Sequence, residues 1–324
     1  MTPAARSGTI TASISWRALR ETVQTTIITT CTNRKRRAAP PELRARALSV
    51  GATEVVAADW IARIASASDL GPALQLYAGR GFREAVRAAE ACEARLLVIS
   101  AGLGLIDVSA DVPAYDLTLS ATSEDAVGKK VDGSARDWWA AITHDAGEID
   151  RFGGGLILAA LSRPYLSMVA DEWAQWPKER LTRLRIFCKE PPRDLPSELA
   201  HAWMPYDDRL DQVGEGLAGT QSDFAQRALR HFVEALGVRP LSATNHRAAV
   251  TLALSSLTPR SVPVRERSDD LAILALIRRD WDLVDGRSGA MLRHLRDELL
   301  VACEQGRFKR LFKAAAAARQ EPSS

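Results

Sequence analysis

Four cysteines, Cys31, Cys92, Cys188 and Cys303, are all that the 324-residue chain contains. They lie far apart and form no Cys-x-x-Cys pair, which excludes a zinc ribbon or disulfide scaffold and suits a reducing compartment. The five histidines, His144, His201, His231, His246 and His294, are scattered, so neither a dedicated metal site nor a cofactor is expected. No apolar run reaches the roughly 18 residues of a membrane helix, and the opening MTPAARSGTITASISW lacks a continuous apolar segment. The expectation is a cytoplasmic protein with no signal peptide and no membrane partner. A Walker loop, a Gly-x-Ser-x-Gly elbow and a complete Gly-x-Gly-x-x-Gly fingerprint are also missing; Gly102-Leu103-Gly104 supplies only the beginning of the last. Net charge is small, 43 Lys and Arg against 40 Asp and Glu, so bulk electrostatics demands no polyanionic partner and the placement of charge must decide.

What is present is a 46% hydrophobic chain long enough for two domains. The β-branched run Val23 to Thr30 and the apolar runs Leu96 to Ile99, Leu156 to Leu161 and Leu181 to Phe187 read as buried strands. Helices are expected at Pro41 to Ala57, Ala58 to Ala65 and Phe82 to Ala91, and from Pro164 onward, with Leu70-Gly71-Pro72 as a turn. This alternation predicts an α/β fold: a Rossmann-like, mainly parallel sheet with helices on both faces, followed by a helical C-terminal domain. Residues 1–22 are expected as a loose lead-in, 23–240 as the α/β domain and 241–324 as the helical domain, with a helix-turn-helix as one reading of the latter.

The predicted strands end in small polar residues, Thr30-Cys31, Ser100, Ser162 and Cys188. In open parallel sheets ligands bind beyond the carboxyl ends of the strands, where strand order reverses. Such residues either line a crevice there or merely reflect the preference of loops for small side chains. Cys31 precedes the basic run Arg34-Lys35-Arg36-Arg37, whose charge favours the attacking thiolate; a small packed thiol is the alternative. Lys35 offers a point charge for a phosphate. Asp116 could serve as a general base or hold a ribose hydroxyl, and Tyr115 could stack on a base, unless the pair only shapes a turn. Ser100, Gly102 and Ser162 complete the candidate ligand-binding set.

Taken in order, Cys31-Thr32-Asn33-Arg34-Lys35, Tyr77-Ala78-Gly79 with Phe82-Arg83, Ser100-Ala101-Gly102-Leu103-Gly104-Leu105 and Pro113-Ala114-Tyr115-Asp116 resemble a family of bacterial and phage proteins known only as a domain of unknown function. Its members look like Cys-[Ser/Thr]-x-x-Lys, Tyr-x-x-x-x-Phe-[Arg/Lys], Ser-Ala-x-x-Gly-Leu and Pro-Tyr-Asp. The match covers roughly Ile27 to Ser120. Gly102-Leu103 stands where members more often carry Lys and His or Tyr, and Ala114 is inserted before Tyr115. The cysteine and lysine also resemble, more distantly, a motif in archaeal enzymes that modify a deazaguanine base of transfer RNA.

Beyond Cys188 the strand signal stops. A helix with Phe224, Ala228, Phe232 and Leu236 on one stripe ends at Gly237, and Asp223 with Arg227 suits a helix ion pair. Helices are further expected at Ala248 to Leu257, Leu271 to Ile277 and from Ser288 through Cys303. The last, Arg307 to Arg319, has five basic residues and no acidic one. Arg293, Arg296, Arg307, Lys309 and Arg310 are therefore candidate nucleic-acid contacts, with a helix solvated by charge as the alternative. Two functions follow as expectations: an enzyme, active or degenerate, directed at a nucleotide or nucleobase, or a non-catalytic DNA-binding accessory protein of a mobile element or phage-defence system. The sequence does not set the oligomeric state.

Overall fold

The structure, a computed structural model, describes residues 24–144, 152–214, 216–259 and 264–320. The expected lead-in at 1–22 lies outside them. Strands β1 (Thr26–Thr30), β2 (Leu70–Pro72), β3 (Arg95–Ser100), β4 (Gly104–Asp107), β5 (Asp111–Pro113), β6 (Ile157–Ala160) and β7 (Leu184–Phe187) belong to the first of two compact units. Five of them form the central sheet in the order β4-β3-β1-β6-β7. β1 runs parallel to β3 and β6, and β6 parallel to β7, while β4 folds back antiparallel on β3 at one edge. The fold is thus α/β with a mainly parallel sheet, as the alternation of runs predicts.

Period-two alternation sorts the strand residues onto two helical layers. Ile27, Leu96, Leu158 and Phe187 pack with Ala85, Ala88, Phe224, Ala228 and Phe232, that is, with α2 (Arg80–Ala91), α5 (Phe224–His231) and the π turn Phe232–Leu236 that continues it. Ile28, Leu97, Ala159 and Ile186 turn the other way, onto Trp139 of α3 (Ala135–Thr143) and Leu166, Val169 and Trp173 of α4 (Arg163–Ala174). A third core, around Trp60 of α1 (Thr53–Ala65), Tyr77, Tyr115 and Trp138, lies over the ends of β1 and β3. Gly237 ends the α5 segment at φ 74°, a conformation that suits glycine. The expected Asp223–Arg227 pair is present at 2.7 Å and is buried.

Four local expectations are corrected. The segment predicted as a helix from Pro41 to Ala57 makes only two 3-10 turns, Pro41–Leu43 and Ala45–Ala47, because Ala45 N–H and Asp116 N–H are drawn into a ladder between these segments. One helix, α1, then runs through the expected break between Ala57 and Ala58. Leu70-Gly71-Pro72 is a strand paired with β5 rather than a free turn. The run from Leu181 divides: Lys178–Arg183 is helical and only Leu184–Phe187 is strand. The helix expected from Ser288 through Cys303 stops early, passing into a π turn at His294–Glu298 and then strand β9 (Val301–Ala302).

The first compact unit runs to Pro259, because Val250 and Leu254 of α6 (Ala243–Leu254), the first helix after residue 241, pack into the Ile27 core. In the second unit β8 (Glu266–Arg267) pairs with β9, and α7 (Asp270–Arg279), α8 (Ser288–Arg293) and α9 (Gln305–Gln320) close a core of Ile273, Ile277, Met291, Leu295, Phe308 and Leu311. No helix among the described residues is long and apolar enough to cross a membrane.

Candidate functional site

β1 stands between β3 and β6, so the connection after β1 leads to one side of it and the connection after β3 returns to the other. Strand order therefore reverses at the carboxyl end of β1, where Cys31 follows Thr30. Its amide continues the ladder to Ile99 O at 2.9 Å, and its Sγ lies 3.0 Å from the Tyr165 hydroxyl, in the first turn of α4 after β6. Cys31 is 7% exposed. It is packed, as the structural reading holds, and also hydrogen-bonded, as a site residue would be.

The turn after β3 is a rigid hairpin into β4. Ser100 Oγ accepts the amides of Gly102 (3.2 Å) and Leu103 (3.0 Å), which occupies its lone pairs, so its proton goes to Tyr115 Oη at 2.5 Å. Tyr115 Oη in turn lies 3.0 Å from Tyr77 Oη. The indoles of Trp60 and Trp138 donate to the carbonyls of Gly102 (2.6 Å) and Ala101 (2.7 Å). Gly102 is therefore not an approach for ligand: its amide and carbonyl are both engaged, and a Cβ there would stand 2.7 Å from Tyr115 Cε2. Tyr115 is fully buried and cannot stack on a base, and Ser100 is likewise closed to solvent. Both form the floor that supports Lys35.

Lys35 enters over that floor. A backbone bridge to Tyr77 pins the basic run, and Nζ sits 4.4 Å above the Tyr115 ring and 3.8 Å from Asp116 Oδ1. Only 5% of the Lys35 side chain is exposed, against 37% for Asp116. Burial pushes the Lys35 ammonium below its usual range, while Cys31 and Asp116 partly restore it. Arg44 Nε approaches the other Asp116 oxygen at 4.0 Å, so the carboxylate is held between two cations with an edge free to solvent. Burial, reinforced by the nearby Cys31, pushes the phenols of Tyr77, Tyr115 and Tyr165 upward and keeps them as neutral donors.

Two cavities are walled by segments next to this cluster in sequence, and neither has Cys31, Lys35 or Asp116 in its walls. One of about 720 Å³ has walls of Ala39, Leu43, Ala62, Arg63, Pro113 and Ala114; Leu43 O accepts the Asp116 amide at 2.8 Å. The other, about 190 Å³, lies beyond β6 and β7 and contains Ser162, Lys189 and Gln226. Ser162 thus faces a separate space from the Lys35 cluster, at the same edge of the sheet. Cys31, Lys35, Ser100, Tyr115 and Asp116 converge; Ser162 stands apart from them.

Sequence reasoning missed Tyr165, Arg44 and the part played by Tyr77. Tyr165 follows the small strand end Ser162 by three residues, and only the β1-β6 adjacency brings it to Cys31. In the second unit, Arg310 Nη2 binds Asp270 at 2.9 Å and Arg319 Nη2 binds Asp282 at 3.0 Å, so part of the terminal helix charge fastens the helix to its own unit. Arg293 and Lys309 are exposed. Arg296 and Arg307 instead meet around a separate depression. The chain matches no family model, no curated protein and no solved structure.

Proposed function

We propose that the first unit is an enzyme directed at a nucleotide or nucleobase, with Cys31, Lys35 and Asp116 as its working groups. The observation that supports this most is a desolvated lysine over an aromatic floor, beside a thiol and a partly exposed carboxylate, where strand order reverses in a parallel sheet. In this reading Asp116, oriented by Lys35 and Arg44, accepts a hydrogen bond from a ring N–H or ribose hydroxyl and serves as the base. Cys31 supplies the nucleophile, and Tyr165 donates to its sulfur. Lys35 stabilises negative charge that develops beside it. The 720 Å³ cavity falls within the size range of small-ligand sites, and its walls combine apolar Ala39, Leu43, Pro113 and Ala114 with polar Glu42, Arg63 and Asp69, though none of the three working groups lines it.

Calorimetric titration with a panel of nucleobases, nucleosides and nucleotides tests the reading. The wild type is expected to bind at least one member, and Asp116→Ala and Lys35→Met, both folded, to bind it at least about tenfold more weakly, the loss of one charge-assisted contact. Bound ligand should also slow alkylation of Cys31. Undiminished binding in both variants would remove these residues from the site.

A further inference from the structure

The second unit carries a feature that the basic helix alone does not predict. Arg265, Arg267, Arg296 and Arg307 gather with Ser268 and Glu304 around a depression of about 780 Å³, between the β8-β9 ribbon and the start of α9. Three of the four guanidinium groups are fixed by main-chain carbonyls. Arg296 donates through Nε and Nη2 to Cys303 O at 3.0 and 2.6 Å, Arg265 Nε donates to Arg296 O at 2.8 Å, and Arg307 Nη2 donates to Ser268 O at 2.8 Å. Arg296 reaches Cys303 from the π turn His294–Glu298, an irregularity that often accompanies a functional position.

The charges do not cancel. Asp297 offsets Arg265 at 2.9 Å and Asp270 offsets Arg307 at 2.6 Å, but Arg296 and Arg267 have no carboxylate partner among the described residues. Glu304 is part of the lining: its two oxygens accept the amides of Gly306 (2.8 Å) and Arg307 (2.9 Å), which cap α9 and hold the carboxylate ionised, so one negative charge stays there. Arg267 is exposed, and its side chain has no hydrogen-bond or ion-pair partner among the described residues. Each guanidinium has five N–H donors, and the contacts named use two each on Arg265, Arg296 and Arg307. The remaining donors form planar forks held in advance, the geometry that matches phosphate oxygens and lowers the entropy lost on binding.

We infer that this depression binds the phosphodiester backbone of a nucleic acid. A depression of about 780 Å³ is more than one phosphate would fill, and Arg267 and Arg296, the two guanidinium groups without a carboxylate partner among the described residues, would engage neighbouring phosphates of one strand together with the remaining donors of Arg265 and Arg307. The site reads no bases; it supplies backbone contact independent of sequence.

Fluorescence anisotropy on the full chain tests this, with labelled single-stranded DNA, single-stranded RNA and duplex DNA between 50 and 200 mM salt, all roughly 20 nucleotides long, and with pyrophosphate and polyglutamate as competitors. For the wild type, log affinity should fall linearly with log salt, at about −0.7 per contacted phosphate for single strands and about −0.9 for duplex. Arg267→Glu, which breaks no partner in the fold, should weaken binding about tenfold or more and flatten the slope by about one to two, since it removes one contact and adds repulsion. Arg278→Glu, an equal charge change at an exposed position outside the lining, should change affinity less than about twofold. Equal losses in the two variants would mean general charge attraction and overturn the assignment. So would the absence of binding to any strand, competition by polyglutamate as strong as by nucleic acid, or saturation by pyrophosphate alone at matched phosphate concentration. The relative affinity of the three strands says which nucleic acid the site prefers.

Discussion

At the scale of single residues, the site is organised by hydrogen-bond arithmetic around one glycine. Ser100 has two lone pairs and one proton, all committed, and Gly102 lends its amide and carbonyl to that accounting while leaving room for the Tyr115 ring. Gly102→Ala should therefore act through space. The new methyl would stand 2.7 and 2.9 Å from Tyr115 carbons and 3.2 Å from Trp60, and both rings are fully buried and cannot swing away. Overpacking of this kind typically costs about 1–3 kcal/mol, which a lowered thermal midpoint would register. An unchanged midpoint would mean that the floor is softer than its packing indicates. In sequence, Ser-Ala-Gly-Leu-Gly announces only a turn. Which turn it makes depends on Trp60 and Trp138, whose indoles arrive from distant helices. Cys31, Lys35 and Asp116 were legible as chemistry-bearing types at strand and turn ends. Arg44 and Tyr165 were not, because their approach is set by a two-segment ladder and by strand order.

At the scale of elements, the legible part of the fold is the part decided by local pattern. Buried apolar runs gave β1, β3 and β6 almost in place, and the helix expected at Phe82 to Ala91 is α2. Failures fell where tertiary pairing overrides propensity: Pro41 to Ala57 gives up helix for a ladder with Asp116, and Leu181 to Arg183 take helical rather than strand geometry ahead of β7. The π turn at His294–Glu298 is another such place, and it has a pH consequence. His294, nearly buried, bonds Glu298 through Nδ1 at 2.7 Å and Asp280 through Nε2 at 3.0 Å. Burial disfavours the charged ring, but the two carboxylates outweigh it and raise the His294 pKa. Asp280, bonded also by Arg279, is held down to about 2. A raised histidine pKa stabilises the fold fully below its unfolded value, about 6.5, and the contribution is lost as pH rises through the folded value. Hydrogen exchange of the Asp270–Glu298 amides, corrected for intrinsic rates, should therefore show protection declining from pH 6 to 8.5. In His294→Gln the decline should vanish. A decline that persists in the variant would assign it to another group.

At the scale of the whole molecule, each unit closes its own apolar core, and their sizes differ greatly. The first combines three buried clusters across and beyond a five-stranded sheet; the second relies on one cluster, drawn from Ile273 to Ala315. A unit of roughly 60 residues buries a smaller fraction of its surface than a larger one and is correspondingly marginal. Two calorimetric transitions are expected, with the second unit melting first. Ile277 and Ile28 are both fully buried, one in each core, and Ile→Ala at such positions costs about 2–5 kcal/mol. Ile277→Ala should lower only the first transition, and Ile28→Ala only the second. The shift for Ile277→Ala should be the larger in degrees, because a smaller unit has a smaller unfolding entropy and converts each kcal/mol into more of them. If either substitution moves both transitions equally, the chain unfolds as one cooperative body, and the arginine depression and the Lys35 cluster would then share their stability as well as their chain.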